Sequence, residues 1–253
     1  MIPLFKSTFS IGKSILTLDD PIDQKDDGAD SIFSIALENN LKQVVLVEDS
    51  MVGFLEAFKK CVSNNLQLVF GYRFTCCNCF ENNDSCHKLI AFAKNDDGCK
   101  DLNKFYSAIN TRFGGRIDAE NLQNLWTENL LLAIPFYDSF IFNNQLQLGN
   151  CIPDFGSIKP IFFIERNSLP FDHVIEKAIL SFTDNGNKYQ TRLVKSIYYK
   201  DKCDVEALQT YKILCNRSFG RQATLSSPNL NHFGSDEFCW ESFKEYEGKL
   251  TTI

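Results

Sequence analysis

The sequence predicts an α/β protein built as a closed or distorted barrel. Three observations lead there. Several short segments are almost continuously apolar, such as 43–49 (QVVLVED) and 160–166 (PIFFIER), which is how strands covered on both faces read. Segments with helical spacing separate them, as in a mainly parallel sheet coated by helices. About seven such strand–helix units run through the 253 residues, with no linker or repeat between them.

The elements follow in order. Residues 4–10 (LFKSTFS) read as a strand, with Phe5, Phe9 and Ile11 on one face and Leu4, Lys6 and Thr8 on the other. Residues 30–41 read as a helix and 43–49 as a buried strand. In 51–65, Val52, Leu55, Phe58, Cys61 and Val62 fall at helical spacing and are expected to form its buried face. Residues 66–75 and 88–94 are strands on either side of a cysteine-rich loop. The clearest helix covers 101–113, with Leu102, Phe105, Tyr106, Ile109 and Phe113 on one side, and Gly114–Gly115 end it. Residues 118–130 read as a helix capped by Asp118, 130–136 as a strand, 171–182 as a helix, 191–199 as the last strand and 204–215 as the helix after it. Residues 1–225 then form the barrel, and 226–253 a loop and terminal helix added to it.

The net charge of −6 argues against a non-specific nucleic-acid coat, which needs clustered Lys and Arg, and leaves a local basic groove open. The longest apolar run, 130–137, is far below the roughly 20 residues that span a bilayer. The first residues are interrupted by Lys6, Ser7, Lys13 and Ser14, unlike a signal-peptide core. A cytoplasmic protein without a membrane partner is expected. The ten cysteines are then expected as thiols, with Cys61, Cys99 and Cys215 on apolar helix faces. The loop TCCNCFENNDSCHK (75–88) leaves three readings open: a plain thiol-bearing loop, a disulfide, or a structural zinc held by Cys77, Cys79, Cys86 and His87. The first is preferred, since the spacing departs from C-x₂-C. No Walker motif, nucleophile elbow or Ser-His-Asp set is present. His173 and His232 read as ordinary surface residues, and Trp126 and Trp240 as packing or interface residues.

The order of segments resembles the PHP (polymerase and histidinol phosphatase) domain that opens bacterial DNA polymerase III alpha subunits. The similarity lies in LFKSTFS, VEDSMVGFLEAFKKC, LQLVFGYRF, GGRIDAENLQ, IFFIERNSLP, ALQTYKILCNRS and, most specifically, AKNDDGCKDL. PNLNHFGSDEF is similar to the link into the polymerase palm, so the chain is expected to end where the polymerase proper would begin. The resemblance implies a distorted (β/α)₇-type PHP barrel whose active members cleave phosphoesters with up to three metal ions at one rim. Carried over position by position, the ligands fall on Leu4 and Lys6, Val47 and Glu48, Arg73, Lys88, a position near Pro135, and Ser196 and Tyr198.

Three positions are thus cations, which repel divalent metals. The resemblance therefore implies a catalytically inactive barrel without cofactor, its mouth filled by an ion-pair network of Lys6, Arg73 and Lys88 with Glu48, Asp49 and Glu165. The implied role is docking on a DNA polymerase or a proofreading exonuclease. Two alternatives stand beside it. One is a metal-dependent phosphoesterase or exonuclease with rearranged ligands such as His87, Asp49, Asp138 and Asp154. The other is a binder of phosphate or single-stranded DNA through the cationic mouth.

Overall fold

A computed structural model describes residues 1–24, 28–77, 86–147, 150–184, 189–215 and 235–251. The chain is a mixed α/β protein with a closed seven-stranded barrel. Its first half runs β1 (Ile2–Phe5), α1 (Ile32–Glu38), β2 (Gln43–Glu48), α2 (Phe54–Ser63), β3 (Gln67–Cys77), β4 (His87–Ala93), α3 (Asp96–Arg112), β5 (Arg116–Asp118) and α4 (Ala119–Leu125). The second half runs β6 (Leu130–Ile134), α5 (Phe140–Leu146), β7 (Ile161–Ile164), α6 (Asp172–Asp184), β8 (Gln190–Ile197), α7 (Val205–Cys215) and α8 (Trp240–Thr251). Around the barrel the order is β2-β1-β8-β7-β6-β4-β3, and a β2–β3 pairing closes it. β5 pairs in parallel with the end of β3, outside the closed ring.

The sheet is parallel apart from β4, which runs antiparallel to both β3 and β6. Its first residues, not its last, therefore lie at the rim where the parallel strands end.

Strand alternation sorts the side chains into two layers. Leu4, Val45, Val47, Ile90, Phe92, Ala133, Phe163 and Val194 fill the barrel interior. Phe5, Val44, Leu46, Phe70, Phe74, Leu89, Ala91, Leu132 and Phe162 face the helices. The interior is packed rather than open: a Cβ at Gly71 would stand 2.5 Å from the Phe92 ring. Short polar residues start the helices. Ser31, Asn95, Asp118 and Ser139 each accept a hydrogen bond from a first-turn N–H. Gly114 (φ +62°) and Gly115 (φ +87°) end α3 in the left-handed region that glycine tolerates.

Several expected elements differ. β1 stops at Phe5, because residues 6–10 turn across the rim, where the backbone N–H of Ser7 bonds Glu48. α3 begins at Asp96, five residues before the apolar spacing starts, because Asn95 caps it. β5 and α5 have no periodic signal long enough to read. α2 turns most of its expected face outward: Val52, Leu55, Phe58 and Val62 are exposed, and of that face only Cys61 is buried, beside Ala57. Cys215 is exposed rather than packed, and Cys99 is only partly buried. Among the described residues, no helix is long and apolar enough to cross a membrane.

The end of the chain is tied to the barrel. Tyr199 and Cys239 form a β-bridge, and Trp240 stacks on Phe5 at 5.7 Å.

Candidate functional site

One end of the barrel carries a polar ring built by strand alternation. Lys6, Asp49 and Glu165 continue the interior-facing positions of β1, β2 and β7 just past the strand ends, and Arg73 takes the same face within β3, one residue beyond its last pairing with β2. Ser196 and Tyr198 do the same for β8. Lys88 joins them because β4 is antiparallel and starts at this rim. Side chains that fill the barrel lower down thus give way to charges on the same faces.

The charges form a connected network. Lys6 Nζ lies 3.2 Å from Asp49 Oδ1 and 3.4 Å from Ser10 Oγ. Arg73 bridges Asp49 (3.6 Å) and Asp138 (2.5 Å). Asp138 stands in the turn before α5 with φ 59°, a conformation that Asp tolerates better than most residues. Glu48 is fully buried on the helix-facing side of β2. It accepts from Ser7 N–H (2.8 Å) and from the Ser10 hydroxyl, while Ser10 Oγ accepts from Asp49 N–H (3.0 Å). The turn after β1 is thereby pinned to the end of β2.

Burial lowers the Lys6 pKa, with Asp49 acting against it. Burial likewise raises Glu48, partly offset by Lys6. Burial pushes Asp49 up, but Lys6 and Arg73 outweigh it and hold the carboxyl below its usual range. Arg73 ends above its usual value, because Asp138 and Asp49 outweigh its burial.

On the opposite wall, Glu165 accepts from Ser196 N–H (3.0 Å), Ser196 Oγ (2.9 Å) and Asn167 Nδ2 (3.2 Å). Burial raises its pKa against these bonds. Asn167 also holds the buried Lys195 ammonium at 2.9 Å, and Glu237 sits 3.3 Å from that ammonium. Residues just before α8 thus take part in supporting the rim.

A cavity of about 350 Å³ opens between these walls. Lys6, Lys13, Arg73 and Lys88 line it, against the carboxylates Asp138 and Glu165. Lys6 and Arg73 have carboxylate partners. Lys88 donates to Thr75 Oγ1 at 2.6 Å. Among the described residues, neither Lys88 nor Lys13 has a carboxylate within ion-pair distance. Burial, then the Arg73 charge, lowers the Lys88 pKa.

Lys13 joins the site without a sequence signal for this position, and Asp138, expected among the alternative ligands, stands there as the partner of Arg73. Both stand in turns, and only the fold of those turns brings them to the mouth. Lys212, on α7 and outside the cavity lining, is a buried ammonium with no hydrogen-bond partner among the described residues. Burial lowers its pKa to about 8, and the Lys13 charge adds to the effect.

Of the alternative ligands, Asp49 and Asp138 both reach the mouth, where Arg73 bridges them, whereas His87 and Asp154 lie elsewhere. His87 faces the helix layer, on the side of β4 opposite to Lys88, with its ring edge-on to Phe140 and Nδ1 3.7 Å from Cys151 Sγ. Asp154 is exposed on a distant loop, where it caps Gly156 N–H. Cys77 is buried at the end of β3, Cys86 lines the mouth, and Cys79 lies outside the described residues, as does His232. His173 is exposed in the first turn of α6.

A metal centre of the kind implied by the resemblance does not fit the residues present. Four cations face the cavity, and its carboxylates are engaged by Arg73 or by Ser196 and Asn167. Among the described residues, no group of three or more His, Cys, Asp or Glu is arranged to hold an ion. No protein-family model matches the chain, and a search of curated proteins found no significant match.

Proposed function

We propose that the barrel mouth is a non-catalytic binding site for a phosphate-bearing ligand, such as the end of a single DNA strand, in a PHP-like barrel whose metal ligands are replaced by cations. The observation that carries this reading is the pair Lys13 and Lys88. Both line a 350 Å³ cavity without a carboxylate partner among the described residues, beside Lys6 and Arg73, which carboxylates hold in place. Ammonium groups that line a concave site without counter-ions favour an anion. Arg73 is positioned to offer donors in a fixed plane, and the paired carboxylates offset the repulsion among the cations.

The test is fluorescence anisotropy with a short single-stranded oligonucleotide, with and without a 5′-phosphate. The phosphorylated strand is expected to bind more tightly, salt is expected to weaken it, and Lys13→Met with Lys88→Met to cost about tenfold or more. Equal binding of both strands, unaffected by the double substitution, would remove the mouth from the account. Cleavage of the strand on adding Mn²⁺ would instead favour the metal-dependent phosphoesterase. Docking on a DNA polymerase or proofreading exonuclease rests on the resemblance alone. A direct binding assay against the purified subunits addresses it.

A further inference from the structure

The outer face of α2 is apolar where a solvent-facing helix is ordinarily polar. Leu55 (57 % exposed), Phe58 (49 %) and Val62 (60 %), with Val52 (70 %) just before the helix, form one stripe at spacings of three and four residues. Ala57 and Cys61, on the other side of the helix, already supply its contact with the barrel. The Phe58 ring is held in position: it stacks on Phe54 (6.3 Å, 18°), whose own ring meets Phe70 edge-on at 5.1 Å. A fixed aromatic ring within a row of exposed aliphatic side chains is the composition of an interface core.

We propose that this stripe pairs with the same stripe on a second copy of the chain, the two α2 helices running antiparallel about a two-fold axis. A two-fold contact requires a patch that complements itself, and the charges bordering the stripe do so. Glu56 and Lys59 are both exposed on the same border, and among the described residues neither makes an ion pair within the chain. When Leu55 lies opposite Val62 of the second copy, the two Phe58 side chains flank the axis. Glu56 then lies beside Lys59 of the second copy, and the symmetry repeats that pair. A parallel two-fold would instead carry this border to opposite sides of the contact and leave Glu56 and Lys59 unpaired. The apolar stripe supplies the attraction, and the charge pairs select the antiparallel orientation. Lys60 is kept out of this border, since its ammonium bonds Asp20 on the other flank of the helix. The inference is independent of what the barrel mouth binds.

Sedimentation velocity on the full chain, over a series from low to high micromolar concentration, tests it. The expected result is a reversible dimer. Phe58→Asp is expected to weaken it by about tenfold or more, as for a central aromatic anchor. Lys59→Glu should also weaken it, and Glu56→Lys combined with Lys59→Glu should restore it, because the exchange rebuilds both pairs. All three substitutions are at exposed positions, and circular dichroism confirms that each variant folds. A monomer at every concentration would overturn the proposal. So would a dimer indifferent to Phe58→Asp, or a double exchange that fails to recover the loss caused by Lys59→Glu alone.

Discussion

Lys6→Met is expected to lower the folding free energy by about 3–5 kcal/mol at neutral pH, the range seen when one partner of a buried ion pair is removed. Methionine fills the space of the lysine stem, so the loss is mainly electrostatic. Asp49 keeps Arg73 at 3.6 Å. Glu48 fares worse: it is fully buried, burial already raises its pKa, and Lys6 is the charge that most offsets that rise. The sign with pH follows. A carboxyl raised further in the folded state is least costly when protonated, so the penalty of Lys6→Met should shrink as pH falls toward the ordinary Glu range. Glu48→Gln in the same background should recover part of the loss, since the pair is coupled through Ser7 and Ser10. Urea denaturation of the four proteins at two pH values measures this. A loss below about 1 kcal/mol, the scale of an exposed pair, would show that the network is solvated.

The second large effect is on acid stability through His87. Burial lowers its pKa from 6.5 to about 4, and its Nε2 has no hydrogen-bond partner among the described residues. The unfolded chain therefore binds a proton that the folded chain refuses over that interval. Stability is complete above the unfolded pKa and falls as pH drops through the interval, by about 2 kcal/mol between pH 7 and pH 5 from this group. Glu48 and Glu165, both raised by burial, act in the opposite direction. The comparison with a variant isolates the histidine: His87→Leu should keep or slightly raise stability at pH 7 and remove that part of the acid loss. Parallel loss in the two proteins would mean that the ring takes up its proton without unfolding.

The barrel strands were legible because their apolar runs are nearly continuous, as in 43–49 and 160–166. Their directions were not. Nothing in HKLIAFA distinguishes an antiparallel strand from a parallel one, yet that reversal is what brings Lys88 to the rim. In α2, spacing revealed a stripe but not its direction. Phe54, Ala57 and Cys61 form a competing stripe, and that one lies against the barrel. At the rim, Lys6, Asp49 and Arg73 were identified as interacting charges, and the structure pairs them. Lys88 was grouped with them but has no carboxylate partner among the described residues. Lys13 and Asp138 depend on turn conformations, including a positive φ at Asp138, that no periodicity encodes.

The most direct measurement is calorimetric titration of the protein with inorganic phosphate at low ionic strength, repeated on the variant carrying Lys13→Met and Lys88→Met. The account predicts one site per chain in the native protein, and its loss in the variant while the fold persists. An absence of binding by the native protein up to millimolar phosphate, or equal binding by both proteins, would contradict it.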